Sequence, residues 1–214
     1  MKPDFRQPIA TRTPFASAFA LASLICVGFM NSVACAQTIG SSYTSTASRD
    51  CRVTGARNGV DDSTTRLCPG KAGLVVLVAE DDLRETVSVG RSRGSAAKEP
   101  AAQASFGPFN STATTVEWRS LDGKPFAIIQ RWHIADNADP DKAGRPIAKP
   151  LLVVTRLLPG AVCHVAYVDA QANADANGLA RRAADAFARS FNCGADAVKI
   201  IGESGRAVEL AQRR

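Results

Sequence analysis

The chain has 214 residues, 45% of them apolar and 21% charged, with 26 Lys and Arg against 20 Asp and Glu for a net charge of +6. That balance excludes a disordered low-complexity chain, a fibrous repeat and a large multidomain assembly.

Met1 to Thr13 is polar and basic, Phe15 to Met30 is free of charge, and Ala34-Cys35-Ala36 places small residues at the −3 and −1 positions. This order predicts a secretory signal peptide over residues 1–36, cleaved after Ala36. The apolar run falls short of the roughly 20 residues that a spanning helix needs. An uncleaved anchor and a lipoprotein are the alternatives. Val33-Ala34-Cys35 is lipobox-like, although Ser32 stands where that motif has Leu. Without Lys2, Arg6, Arg12 and Asp4 the chain keeps 23 basic and 19 acidic residues, a net charge of +4. Those cations are dispersed, so the concentrated basic stripe of a nucleic-acid binder is missing and no such partner is expected. No transmembrane segment is expected in the mature chain, and a periplasmic or secreted location follows.

Residues 37–50 are Ser/Thr-rich without apolar periodicity and read as a flexible mature N-terminus. Residues 51–203 read as one disulfide-stapled domain, and residues 204–214 as a frayed tail. Four Cys remain after the signal peptide: Cys51, Cys68, Cys163 and Cys193. An even number in an exported chain suggests two disulfides. Of the three connectivities, Cys51–Cys68 with Cys163–Cys193 is favoured. The first closes a polar loop, and the second ties a strand to the end of the helix that follows it. With no CxxC, and the two His at positions 133 and 164, no metal site is expected.

Gly73 to Ala79 predicts a strand buried on both faces, and Arg84 to Val89 a half-buried partner with Val87 and Val89 inward. Residues 90–105, rich in Gly, Ser, Ala and Lys, read as a mobile loop. Val116 and Trp118 share one strand face. A turn at Leu121-Asp122-Gly123-Lys124 leads into Phe126 to Ile134, where Phe126, Ile128, Trp132 and Ile134 alternate. Residues 135–149 are charged and proline-rich, an excursion over the surface. Leu151 to Leu158 and Cys163 to Val168 predict another hairpin. Asn173 is positioned to cap a helix running to about Phe191, and Val198 to Ile201 predicts a last short strand. The resulting fold class is α+β: a mostly antiparallel sheet of about six or seven strands, with one long C-terminal helix packed on one face.

Few residues suggest chemistry. Gly90-Arg91-Ser92-Arg93-Gly94 matches G-x-S-x-G, which would make Ser92 a nucleophile and His133 or His164 its base. The segment after Gly94 is a poor helix, however, and the parallel sheet of that hydrolase fold is not expected. His133 lies on the strand face opposite Trp132, and His164 is expected to share a face with Ala166 and Val168. Glu85 and Glu117 would serve a glycosidase only if they faced each other across a cleft. Asp61-Asp62, Asp136, Asp139 and Asp141, and Asp169 with Asp175 are oxygen clusters without the spacing of a calcium loop. These residues form no convincing catalytic set, and no cofactor is expected.

The run Cys163-His164-Val165-Ala166-Tyr167-Val168-Asp169-Ala170, with Asn173, Asn177, Leu179, Ala180, Arg181, Ala184, Asp185 and Cys193 after it and Trp118-Arg119, Gly123 and Arg131-Trp132 before it, resembles uncharacterised Sec-exported proteins of alphaproteobacteria. The resemblance implies a periplasmic location and assigns no catalytic residue. The expected function is a non-catalytic binding or structural module of the cell envelope, acting on an envelope component or protein. A small periplasmic hydrolase of envelope material and an inhibitor of an envelope-degrading enzyme are the alternatives.

Overall fold

A computed structural model describes residues 37–54 and 63–213. The predicted signal peptide, with its cleavage site, and Asp61-Asp62 lie outside the described residues. Ten strands form one mixed sheet: β1 (Ile39–Ser45), β2 (Arg52–Val53), β3 (Thr64–Pro69), β4 (Val75–Asp81), β5 (Arg84–Gly90), β6 (Asn110–Leu121), β7 (Lys124–Pro140), β8 (Pro146–Arg156), β9 (His164–Asp169) and β10 (Lys199–Ile200). The helices are α1 (Arg93–Ala96), α2 (Ala176–Phe187) and α3 (Arg206–Ala211). The strand order is β10-β9-β8-β7-β6-β5-β4-β3-β2, with β1 beside β6.

Ten strands and two parallel contacts overturn the expected, mostly antiparallel sheet of about six or seven strands. β9, α2 and β10 form a crossover that returns β10 parallel to β9. The segment between β5 and β6 likewise brings them together in parallel, at the single pair Arg84 and Asn110. The helix is not C-terminal, since β10 and α3 follow it. The strands missing from the expectation are β1, β2 and β3. They are polar and make their place through ladder hydrogen bonds, which leave no apolar alternation in the sequence.

The expected tail is therefore strand β1 over Ile39–Ser45, antiparallel to β6 with Tyr43 opposite Glu117. Thr44 accepts a hydrogen bond from the Trp118 indole at 2.8 Å, so the buried N–H is satisfied by the strand that covers it. The expected excursion at residues 135–149 is the long hairpin of β7 and β8, with Pro140 and Pro146 paired next to its tip and a bulge beyond Asp136. The expected mobile loop holds α1 and a 3₁₀ turn at Pro100–Gln103, with Ala96 and Ala101 buried, as is Phe106 just after it. Helix α2 stops at Phe187, short of Phe191, and Asp175 caps it rather than Asn173. Asn173 instead donates to the carbonyls of Asp169 and Glu203 and accepts from the Glu203 amide, fastening the chain beyond β10. The expected frayed end contains α3, whose Ala207, Val208 and Leu210 are buried.

The hairpins follow local chemistry. Asp122 and Gly123 both have positive φ, +48° and +77°, as a two-residue turn between twisted strands requires. Asp82 and Leu83 do the same between β4 and β5.

Two cores lie on opposite faces of the sheet. On one face Ala180, Ala183 and Ala184 of α2 pack on Ile129, Val154 and Val168. Small side chains on this helix allow its axis close to the strands. On the other face Val76, Val78, Val87 and Val89 of the β4–β5 hairpin share one core with Trp118, Ile128, Trp132 and Val153, and α3 closes its end. The sheet therefore curls, placing β3 to β5 over the inner face of β6 to β8. Disulfides Cys51–Cys68 and Cys163–Cys193 are both formed. The first joins the start of β2 to β3. The second anchors the segment after α2 at the start of β9.

Candidate functional site

His164 begins β9, and its position depends on a bulge. Val154 pairs with Ala166 but Thr155 pairs with His164, so two steps on β9 oppose one on β8. The extra residue turns His164 away from Ala166 and Val168, which face α2. This corrects the expected shared face. The imidazole enters the inner core instead, among Phe106, Trp132 and Tyr167, with ring centroids 5.7–6.1 Å away. Nδ1 lies 3.0 Å from the Tyr167 hydroxyl. Nε2 is buried with no hydrogen-bond partner among the described residues. Burial lowers the His164 pKa to about 4, so the ring is neutral at pH 7.

A cleft of about 1000 Å³ opens beside this ring. Phe106, His164, Tyr167 and Phe191 make its floor, and Gln103, Ser105, Asp196 and Gln212 stand on its rim. One wall, residues 194–200, is held by Cys163–Cys193. Three elements distant in sequence thus converge here, and none announced the site alone. The one signal available in the sequence was His164 beside a cysteine on a strand.

The other candidates are elsewhere. Ser92 is the N-cap of α1. Its Oγ accepts from the Ser95 amide at 3.2 Å, and the Ser95 Oγ accepts from the Ser92 amide at 2.9 Å. Gly90 makes this turn possible, because a Cβ there would stand 2.5 Å from the Ala96 nitrogen. The G-x-S-x-G match is a capped turn between an antiparallel hairpin strand and a single helical turn. His133 lies next to Ile134, which pairs with Asn110 at the opposite end of β5 from Ser92. The length of β5 separates those ends by about 20 Å. His133 borders a shallow groove with Leu83 and Phe109. Burial, with the charge of Arg131, lowers its pKa. Neither Ser92 nor His133 lines the His164 cleft.

The carboxylates are committed to cations or to backbone amides. Glu85 lies on the inner face and accepts from Arg66 at 2.5 Å and from the Thr112 hydroxyl at 2.7 Å. Together with Asn110, which accepts from the Glu85 amide and donates its own amide to the Leu83 carbonyl, it secures the one β5–β6 junction. Glu117 lies on the α2 face, where it takes Arg181 at 2.7 Å and the Ser41 hydroxyl. Its neighbour Arg119 is paired with Asp185 on α2 instead. The two carboxylates thus belong to opposite faces of the sheet and do not meet across a cleft. Asp136, Asp139 and Asp141 pair with Arg206, Lys149 and Arg145 in turn. The Arg206 bonds hold the Asp136 pKa down to about 2. Asp169 accepts the Gln171, Ala172 and Ala207 amides. Among the described residues no group of His, Cys, Asp and Glu has the arrangement of a metal site, and no helix is long and apolar enough to cross a membrane.

Comparison with protein-family models, curated proteins and solved structures gives no match.

Proposed function

We propose that the protein is an exported, non-catalytic binding module of the cell envelope, and that it takes its ligand in the cleft over His164. One observation carries the reading: a buried, neutral imidazole with an unpartnered Nε2 borders an open, aromatic-floored cleft. A buried polar atom left without a partner costs free energy that a ligand hydrogen bond recovers. The rim adds the side-chain amides of Gln103 and Gln212, the Ser105 hydroxyl and one charge of each sign, Asp196 and Arg213, which suit a polar ligand with one apolar face. Export is supported by the basic, apolar and small-residue order of residues 1–36 and by the two disulfides, which persist in oxidising compartments.

The test is a thermal-shift panel of soluble peptidoglycan fragments and lipopolysaccharide-derived saccharides on the oxidised wild type and on His164→Leu. At least one class is expected to raise the wild-type Tm and to leave the variant unmoved. Equal shifts in both proteins exclude the cleft as the site. Turnover of any panel member by the wild type rejects the non-catalytic reading.

A further inference from the structure

We infer that a second pocket, remote from His164 in its lining, receives a small anionic amphiphile. It has a volume of about 570 Å³ and lies where the β6–β7 turn, the end of β8 and the residues just after α2 meet. Phe126, Leu157 and Leu158 provide its apolar wall. Lys124, Arg156 and Arg189 provide its charge.

These cations differ from those in the interior networks. Arg66, Arg119, Arg181 and Arg206 each hold a carboxylate. None of the ion pairs among the described residues uses Lys124, Arg156 or Arg189. Asp122 is the one acid on the lining among the described residues, and it accepts the Thr38 amide at 2.9 Å. Positive charge is in surplus there.

Arg156 is held in place before any ligand arrives. Its two terminal nitrogens donate to the carbonyls of Phe191, at 2.8 Å, and Pro159, at 2.7 Å. Its Nε is buried with no acceptor among the described residues. A guanidinium has only donors, so the missing partner must be an acceptor, and an anionic oxygen is the strongest. The Arg189 guanidinium stands 5.5 Å over the Phe126 ring, joining the charged and apolar parts of the lining. An anionic head on an alkyl body matches both parts. The head is a carboxylate or a phosphate ester, and it is carried either by a free molecule or by a lipid drawn from a bilayer.

The experiment titrates the oxidised protein by calorimetry with dodecanoate below its micelle concentration, with dodecyl maltoside, and with acetate. Dodecanoate is expected to saturate one site. The neutral detergent and the chainless acid are each expected to bind at least about tenfold more weakly. Lys124 and Arg189 are exposed, so the double variant Lys124→Ala/Arg189→Ala is expected to fold normally and to weaken dodecanoate about tenfold. Lys124→Glu/Arg189→Glu is expected to abolish binding. Co-sedimentation with phosphatidylglycerol vesicles, run in parallel, separates the sources: a pocket ligand taken from a bilayer competes with dodecanoate, and a free ligand does not need the vesicle. The inference is overturned if dodecyl maltoside binds as tightly as dodecanoate, or if the double alanine variant binds dodecanoate unchanged. Sedimentation with vesicles without any dodecanoate binding also overturns it. His164→Leu is expected to retain dodecanoate binding, and its loss there would move the ligand to the other cleft.

Discussion

His164 makes folding stability depend on pH in a window that few other groups share. The chain contains two His in all. In the unfolded chain the imidazole titrates at its ordinary 6.5, and in the folded protein burial lowers it to about 4. Between those values the unfolded state binds more protons, so stability is full above about pH 7 and falls as the pH is lowered toward 4. A tenfold change in proton affinity corresponds to about 1.4 kcal/mol, so the loss approaches about 3 kcal/mol at pH 4 and is about 2 kcal/mol at pH 5. His133 works in the same direction, because its pKa is also lowered. It is partly exposed, and its share is smaller. The assay is urea unfolding from pH 7.5 to 4.5, followed by the fluorescence of the buried Trp118 and Trp132. His164→Gln removes the titrating group. The wild type is expected to lose about 2 kcal/mol relative to this variant between pH 7.5 and 5. A stability difference that stays constant over that range refutes the neutral, buried imidazole, and with it the unpartnered Nε2 on which the cleft argument rests.

Other expected outcomes test the frame around the two pockets. Glu85→Ala removes the partner of Arg66 and Thr112 beside the single β5–β6 ladder pair, and is expected to cost about 3 kcal/mol in urea unfolding. Ser92→Ala removes only a cap and is expected to cost about 1 kcal/mol, whereas Gly90→Ala forces a Cβ against backbone and is expected to cost about 2 kcal/mol or more. Equal losses for these two changes, measured side by side, contradict the turn geometry. Replacing Cys163 and Cys193 together by Ser is expected to lower stability by about 2–4 kcal/mol. The same change loosens residues 194–200, so amide hydrogen exchange in that wall is expected to accelerate while exchange in β6 and β7 keeps its pattern.

Much of the framework was legible in the chain alone because its signals are local. The apolar run of β4, the alternation of Val87 and Val89, and the alternating Phe126, Ile128, Trp132 and Ile134 each declare a strand by period. Asp122-Gly123 declares its turn by the positive φ it tolerates. The disulfide pairing followed from which strands and helix ends lay near one another along the chain. The same locality misled where residues find their structure in distant partners. Nothing in Ile39–Ser45 alternates, yet its backbone completes β6, and its Thr44 satisfies the Trp118 indole. The chain end reads as a charged tail, but Asp136 and Asp169, from two other strands, fix Arg206 and the Ala207 amide and so hold α3 on the core.

The candidate sites show the same division at the level of single side chains. Residue order alone places His164 on a strand beside a cysteine, and makes Lys124, Arg156 and Arg189 cations. The face that His164 occupies was set by one bulge against Thr155, because a one-residue slip in a strand exchanges its faces. Packing selected the cations that remain without a carboxylate. Helix α2 lies close enough to the sheet for Arg119 to meet Asp185 and for Arg181 to meet Glu117, while Arg156 reaches only carbonyls among the described residues. Hydrophobic period is written along the chain, whereas the pairing of polar groups depends on distances that exist only after the sheet has curled and the helices have docked.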